Sequence, residues 1–106
     1  GFAAPAFLLQ RGTHYGVQVL KDGGLPLNEF EIFRTSTAFT QVQPKITITF
    51  TGQGLVITVA RYSTARKVTQ FNQYAVDGRV LATKTVSGKK TGWKVVAAGD
   101  EALIVF

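Results

Sequence analysis

The sequence of 106 residues has no cysteine, a single histidine and only 17% charged residues. Without cysteine it forms neither disulfides nor thiolate metal sites, so packing alone must stabilise the fold. A single histidine also excludes a metal cluster of histidine and cysteine ligands. The longest apolar runs fall far short of the roughly 20 residues of a membrane-spanning helix. We therefore expect a soluble protein.

Residues with catalytic potential are few and form no recognisable catalytic pattern. No serine that could partner His14 lies in the strand-turn-helix context of a hydrolase nucleophile. Glu29 and Glu31 are two residues apart on a predicted strand, so they share a face. Such a pair could serve as acid and base, but it is more typical of a solvated strand face. We expect no enzymatic activity, no cofactor and no metal ion.

Alternation of apolar and polar residues predicts an all-β fold. In residues 45–51, Ile46, Ile48 and Phe50 share one face and Lys45 and the threonines the other, as in a half-buried strand. Comparable runs predict further strands at residues 14–20, 27–33, 55–63, 67–76, 79–86, 93–97 and 102–106. We interpret residues 1–106 as one antiparallel domain of about eight strands, either a sandwich, a rolled sheet or a small barrel. Residues 45–106 are predicted to form a continuous six-stranded up-and-down meander.

Two local signals refine the strand prediction. The pair Asp77 and Gly78 between two β-rich runs favours a type I′ turn, in which both residues take positive φ values. Val68 and Phe71 are three residues apart, so a bulge near Thr69 or Gln70 would let both face inward. The glycine-containing segments 52–54 and 87–92 are followed by strands rather than helices, so we interpret them as hairpin loops and not as phosphate loops.

The net charge of +6 is concentrated in the second half of the chain. Residues 1–44 hold three basic and three acidic side chains, whereas residues 45–94 hold nine basic and one acidic. Basic side chains with aromatic neighbours on a sheet can neutralise phosphates and stack bases, so we predict contact with a polyanion such as nucleic acid. The candidate polyanion-binding residues are Lys45, Arg61, Arg66, Lys67, Arg79, Lys84, Lys89, Lys90 and Lys94, and the stacking candidates are Tyr62, Tyr74 and Trp93.

The basic residues and the stacking candidates can each be explained by structure alone. The lysines could simply keep an open sheet face and its edges soluble. Trp93 alternates with Val95, which is typical of a core residue, although with Tyr62 or Tyr74 it could also form a sugar-stacking platform.

Both ends of the sequence are apolar. Residues 1–10 carry no charged side chain, and residues 102–106 are apolar throughout. Chain ends are usually polar unless they are tied down, so these ends suggest packing on, or strand pairing with, other copies of the chain. The candidate self-association residues are Phe2, Phe7, Leu8, Leu9, Leu103, Val105 and Phe106. Residues 1–13 would form an apolar arm or an edge strand; alternatively, both ends are ordinary strands of one closed sheet.

These features favour a non-enzymatic structural subunit that self-associates into a homo-oligomer of the coat or filament type, with its basic half facing a polyanion. A virion or an extracellular assembly would suit such a subunit, and the sequence leaves the compartment open. The alternative is a monomeric β-module that binds nucleic acid or carbohydrate.

A third hypothesis comes from a resemblance. Residues 11–34, followed by residues 48–54 and by Asp77, Gly78 and Arg79, resemble the globular part of a minor pseudopilin. The resemblance implies a role as the globular domain of such a protein. The sequence lacks the pilin-type N-terminal helix, and the additional hairpin predicted after Val86 departs from the pattern.

Overall fold

The computed structural model describes residues 5–34 and 44–106, which form antiparallel sheets of three, four and two strands. The all-β fold class is therefore confirmed. The described strands are β1 (Ala6–Arg11), β2 (His14–Leu20), β3 (Pro26–Arg34), β4 (Lys45–Thr51), β5 (Gly54–Ser63), β6 (Val68–Tyr74), β7 (Val80–Ser87), β8 (Lys94–Ala98) and β9 (Glu101–Val105). A short 3-10 turn, Asp22–Gly24, joins β2 to β3.

The central sheet, β4-β5-β6-β7, is covered on both faces along β5 and β6, whereas β7 is exposed except at Val86. On one face, Ile57 and Val59 pack against Val17 and Val19 of the sheet β1-β2-β3. On the other face, Ala60 packs with Phe71 and Trp93, and this second cluster is covered by the hairpin β8-β9. Strand β5 is buried on both faces from Val56 to Ala60, which places it at the centre of three layers.

The predicted six-stranded meander is wrong at its last two strands. Strands β4 to β7 do form a meander, but β8 and β9 pair only with each other, as a separate hairpin. The hairpin lies across the central sheet, where the Gly52 amide donates to the Gly99 carbonyl at 2.8 Å. Burial of Val95 and Ile104 against the Phe71 cluster stabilises the hairpin in this position. The polar loop after β7 allows the chain to reach it.

The predicted inside and outside of β4 are also partly wrong. Ile46 and Ile48 pack on the core as expected, but Phe50 is 69% exposed and Thr49 is buried. Thr49 is buried because the hairpin β8-β9 packs on the threonine face of β4. Buried polar groups on that face find partners: Gln73 Nε2 donates to the Ala102 carbonyl at 2.8 Å and to Thr58 Oγ1 at 3.2 Å.

Two local predictions, the type I′ turn at Asp77 and Gly78 and the bulge in β6, are wrong. Only Gly78 of the Asp77 and Gly78 pair has a positive φ, 94°, so the turn is not type I′. The Gly78 amide donates to the Ala75 carbonyl and the Ala75 amide to the Arg79 carbonyl, which gives a three-residue hairpin loop ending in a glycine. Pairing of β6 with β5 is regular from Val68 to Tyr74, without the bulge expected near Thr69 or Gln70. Both faces of β6 are covered, so Val68 and Phe71 can pack on opposite faces of a regular strand and no bulge is needed.

Strand β1 is an edge strand of the sheet β1-β2-β3, in which Phe7, Leu8 and Leu9 are half-buried. Phe2 lies outside the described residues. In residues 5–34 and 44–106, no helix has the length and apolar character to cross a bilayer.

Candidate polyanion-binding groove

Antiparallel pairing collects basic residues at one end of the central sheet. Lys45 at the start of β4 pairs with Ala60 near the end of β5, and Val68 at the start of β6 pairs with Ser63 and with Ser87 at the end of β7. The turn between β5 and β6 and the loop after β7 therefore lie at the same end as Lys45. This end, which we call the basic end, carries six of the nine candidate polyanion-binding residues: Lys45, Arg61, Arg66, Lys67, Lys89 and Lys90.

The loop after β7 is anchored to the start of β6. The Gly88 amide donates to the Lys67 carbonyl at 2.8 Å. The buried Thr69 hydroxyl donates to the Gly88 carbonyl at 2.7 Å and accepts from the Lys90 amide at 3.0 Å. Lys89 and Lys90 therefore extend from a backbone that is tied to the sheet. Sequence reasoning missed this role of Thr69 because it depends on a contact between distant segments.

A groove of about 290 Å³ lies at the basic end. Its lining includes Ala60, Tyr62 and Trp93, together with lysines from β4 and from the loop after β7, which we call the rim lysines. No carboxylate belongs to the lining, as far as the described residues go. The full lining is Lys45, Ala60, Arg61, Tyr62, Thr69, Lys89, Lys90, Thr91 and Trp93.

Two rim lysines lie over aromatic rings. Lys45 Nζ is 5.0 Å from the ring centroid of Trp93, and Lys89 Nζ is 5.9 Å from that of Tyr62. A cation over a ring face is attracted by the ring quadrupole, so these contacts favour side-chain positions that keep both ammonium groups at the groove. The Arg61 guanidinium instead lies 4.0 Å from the Phe33 ring centroid, next to β3.

The three stacking candidates have different environments. Trp93 is only 6% exposed and packs edge-on against Phe71, and Tyr74 is only 4% exposed and packs against Phe30. Burial raises the pKa of the Tyr74 hydroxyl, which accepts a hydrogen bond from Asn72 Nδ2 at 3.2 Å. Tyr62 is half-exposed in the groove. Among the three, Tyr62 therefore offers the accessible ring.

Arg66 and Lys67 lie at the basic end but outside the groove lining, and the three candidate cations beyond the basic end do not line it either. Arg79 pairs with Asp77 at 3.0 Å across the turn that follows β6. Lys84 Nζ lies 5.1 Å from the ring centroid of Phe106, and Lys94 is exposed on the hairpin β8-β9. Lys84 therefore provides a control cation outside the groove.

Lys67 adopts a backbone conformation that ordinarily favours glycine. Its φ is 57°, whereas every other described residue with a positive φ is a glycine. A side chain in this left-handed region costs roughly 1–2 kcal/mol, because its Cβ crowds the backbone. A lysine at this position keeps a cation at the basic end in spite of that cost.

The sheet β1-β2-β3 carries a separate group of charged residues at one end. Arg11 pairs with Glu29, and Arg34 Nε donates to Glu31 Oε1 at 2.6 Å. His14 Nδ1 lies 3.1 Å from the same Glu31 oxygen. The hydrogen bond from Arg34 holds the pKa of Glu31 below its ordinary value. Within residues 5–34 and 44–106, no group of three or more His, Asp and Glu side chains is arranged to hold a metal ion.

The candidate self-association residues at the C-terminus occupy two faces of the hairpin β8-β9. Leu103 and Val105 are 44% and 47% exposed, and their outward face also carries Val96, which pairs with Leu103 in register. Phe106 instead contacts Phe71, with ring centroids 5.7 Å apart. The sequence prediction did not include Val96.

Comparison of the chain with protein-family models, with curated proteins and with solved structures gave no match. The resemblance to a minor pseudopilin therefore stays a prediction.

Proposed function

We propose that this chain is a non-enzymatic binding domain that contacts a polyanion, with nucleic acid as the leading candidate, through the groove at the basic end. The observation that supports the proposal is the convergence of Lys45, Lys89 and Lys90 on one groove whose lining has no carboxylate among the described residues. Lys89 and Lys90 follow Lys45 in the sequence by 44 and 45 residues. Strand pairing and the hydrogen bonds of Thr69 bring the two segments together.

The physical basis of binding would be phosphate neutralisation. Each lysine that meets a phosphate releases condensed counterions, so affinity rises with the number of contacts and falls with added salt. Lysines that only kept the protein soluble would not need to lie together at one groove. Two observations favour a binding role: a threonine anchors the loop that carries Lys89 and Lys90, and Lys67 occupies a glycine-favouring backbone position.

A matched pair of charge-reversal variants tests the proposal. The groove variant carries Lys89→Glu and Lys90→Glu, and the control carries Lys84→Glu and Lys21→Glu, the latter at an exposed position after β2, so the net charge of each variant falls by four units. Anisotropy of a labelled oligonucleotide gives the affinity of each protein at low salt. We expect the groove variant to bind at least ten-fold more weakly than the original chain, and the control to change by less than three-fold.

Equal losses in both variants would show that net charge alone drives binding, and would contradict a role for the groove. Thermal unfolding of each variant establishes that the comparison is made on folded protein.

A second candidate function is self-association through the outward face of the hairpin β8-β9. Val96 and Leu103 lie at its centre, with Lys94 towards one end and Glu101 towards the other. A two-fold axis perpendicular to the strands would bring Lys94 of one copy to Glu101 of the second, over a shared apolar centre. This charge complementarity favours a second copy of the chain as the occupant. Together with the groove, it would make the protein an assembly subunit that binds a polyanion.

Light scattering after size exclusion tests self-association. We expect a dimer or larger species for the original chain, and a shift towards monomer for a variant with Val96→Thr and Leu103→Thr. Leu27→Thr, at an exposed position on β3, is the control and should leave the mass unchanged. An 11.5 kDa monomer at high protein concentration would contradict this candidate function.

A further inference from the structure

We infer, on the basis of the proposed function, that the groove binds single-stranded nucleic acid and selects it over duplexes and over other polyanions. The inference follows from how the groove combines its chemistry. Its lining combines the rim lysines with two aromatic residues, Tyr62 and Trp93, and with Ala60. A matching ligand must therefore present anionic groups next to a flat apolar face.

Unpaired nucleotides provide both features in one repeating unit. In a duplex the base faces are stacked on each other, so phosphates could meet the rim lysines while the Tyr62 ring stayed unused. A sulfated polysaccharide likewise offers anionic groups, but it has no aromatic face to stack. Nucleic acid with unpaired bases is therefore the polyanion that uses the whole groove.

Tyr62 is the side chain placed to stack a base. Its ring is half-exposed in the groove, and Lys89 Nζ stands 5.9 Å from the ring centroid, near the limit of an effective cation–π contact. A base stacked on Tyr62 would take over this ring face, and the Lys89 ammonium would then be free to meet the adjoining phosphate. Lys45, over Trp93 in the same groove, would meet a second phosphate.

The size of the groove agrees with a single inserted nucleotide. Its volume of about 290 Å³ is close to the lower limit of the roughly 300–1,000 Å³ found for small-molecule sites. One base and its sugar are ligands of that class, whereas a double helix is far too wide to enter.

The experiment uses the fluorescence of Trp93, which is the one tryptophan in the sequence. Three probes are titrated at the same salt concentration: an oligothymidylate, a DNA hairpin duplex with the same number of phosphates, and a heparin oligosaccharide of similar charge. We expect the oligothymidylate to change Trp93 emission and to bind at least ten-fold tighter than the duplex.

Two substitutions of Tyr62 separate stacking from charge. We expect Tyr62→Leu to weaken oligothymidylate binding by about five-fold or more, the loss of one stacked base. Tyr62→Phe should keep the affinity, because it keeps the ring. Heparin affinity should be the same for the original chain and for both variants.

Each other outcome overturns a defined part of the account. Duplex or heparin binding as tight as that of the oligothymidylate, or a Tyr62→Leu variant without selective loss, would overturn the inference and leave the proposed polyanion function standing. Failure of all three probes to bind at low salt would overturn the proposed function itself. If Tyr62→Leu did not fold, equal affinities of the original chain for the three probes would still overturn the inference.

Discussion

Lys67 shows at the scale of one residue how the proposed binding role would compete with stability. Its positive φ of 57° would suit glycine, yet the position carries a cation beside the loop of Lys89 and Lys90. Backbone strain that persists in a folded protein is often connected with function. The sequence predicted the charge of Lys67, but its backbone conformation depends on the turn geometry between β5 and β6.

We expect Lys67→Gly to keep the free energy of unfolding or to raise it by up to about 1 kcal/mol, because relief of the strained φ outweighs the greater entropy of glycine in the unfolded chain. Oligonucleotide affinity should fall by a few fold at the same time. Urea unfolding and fluorescence anisotropy measure the two effects. Lys67→Arg keeps both the charge and the strained backbone, so it should leave both quantities near their original values. A more stable Lys67→Gly variant with unchanged affinity would remove Lys67 from the binding account.

The residue scale also shows what the sequence could not predict for aromatic side chains. Tyr62, Tyr74 and Trp93 are all interleaved with basic residues in the sequence. Only the three-layer packing separates them: Tyr74 contributes to the core beneath β1-β2-β3, Trp93 to the core beneath the hairpin, and Tyr62 to the groove. Local alternation cannot distinguish these environments, because both faces of the central sheet are covered along β5 and β6.

At the scale of single elements, the sequence predicted most of the described strands. Residues 14–20 and 45–51 match β2 and β4 in full, and the predicted strands for β5 and β7 differ from the structure by about one residue at their ends. The position of the hairpin β8-β9 was missed. Its contacts are long-range, between Gly52 and Gly99 and between Gln73 and Ala102, and no periodic pattern encodes them.

Gln73 is expected to be a main polar contact of that hairpin. Gln73→Leu would leave the Ala102 carbonyl and the Thr58 hydroxyl without their buried donor, at a cost of about 1–3 kcal/mol in the free energy of unfolding. Urea unfolding followed by Trp93 fluorescence measures the loss, since Trp93 lies in the cluster that the hairpin covers. Gln70→Leu, at a half-exposed position on the same strand, is the control and should change stability by less than 1 kcal/mol. Equal effects of both substitutions would contradict the special role of Gln73.

At the scale of the whole molecule, strand pairing brings basic residues from distant parts of the sequence together at one candidate groove. The sequence shows that the positive charge lies in residues 45–94, but it does not show which of these cations come together in space. Pairing places Lys45, Lys89 and Lys90 together at the basic end, and leaves Arg79 paired with Asp77 at the opposite end of the central sheet. The groove and the outward face of β8-β9 are made by different side chains. Polyanion binding and self-association are therefore compatible within one molecule.

The salt dependence of oligonucleotide affinity is the most direct test of the central claim, that the lysines of the basic end neutralise phosphates. Anisotropy titrations over a range of sodium chloride concentrations give the slope of log affinity against log salt. We predict a slope of about −2 or steeper for a single strand, and a slope less steep by about 0.7 for each of Lys45→Gln and Lys90→Gln. Lys84→Gln should leave the slope unchanged. Affinity that does not fall with added salt, or slopes that Lys45→Gln and Lys90→Gln do not alter, would contradict the claim.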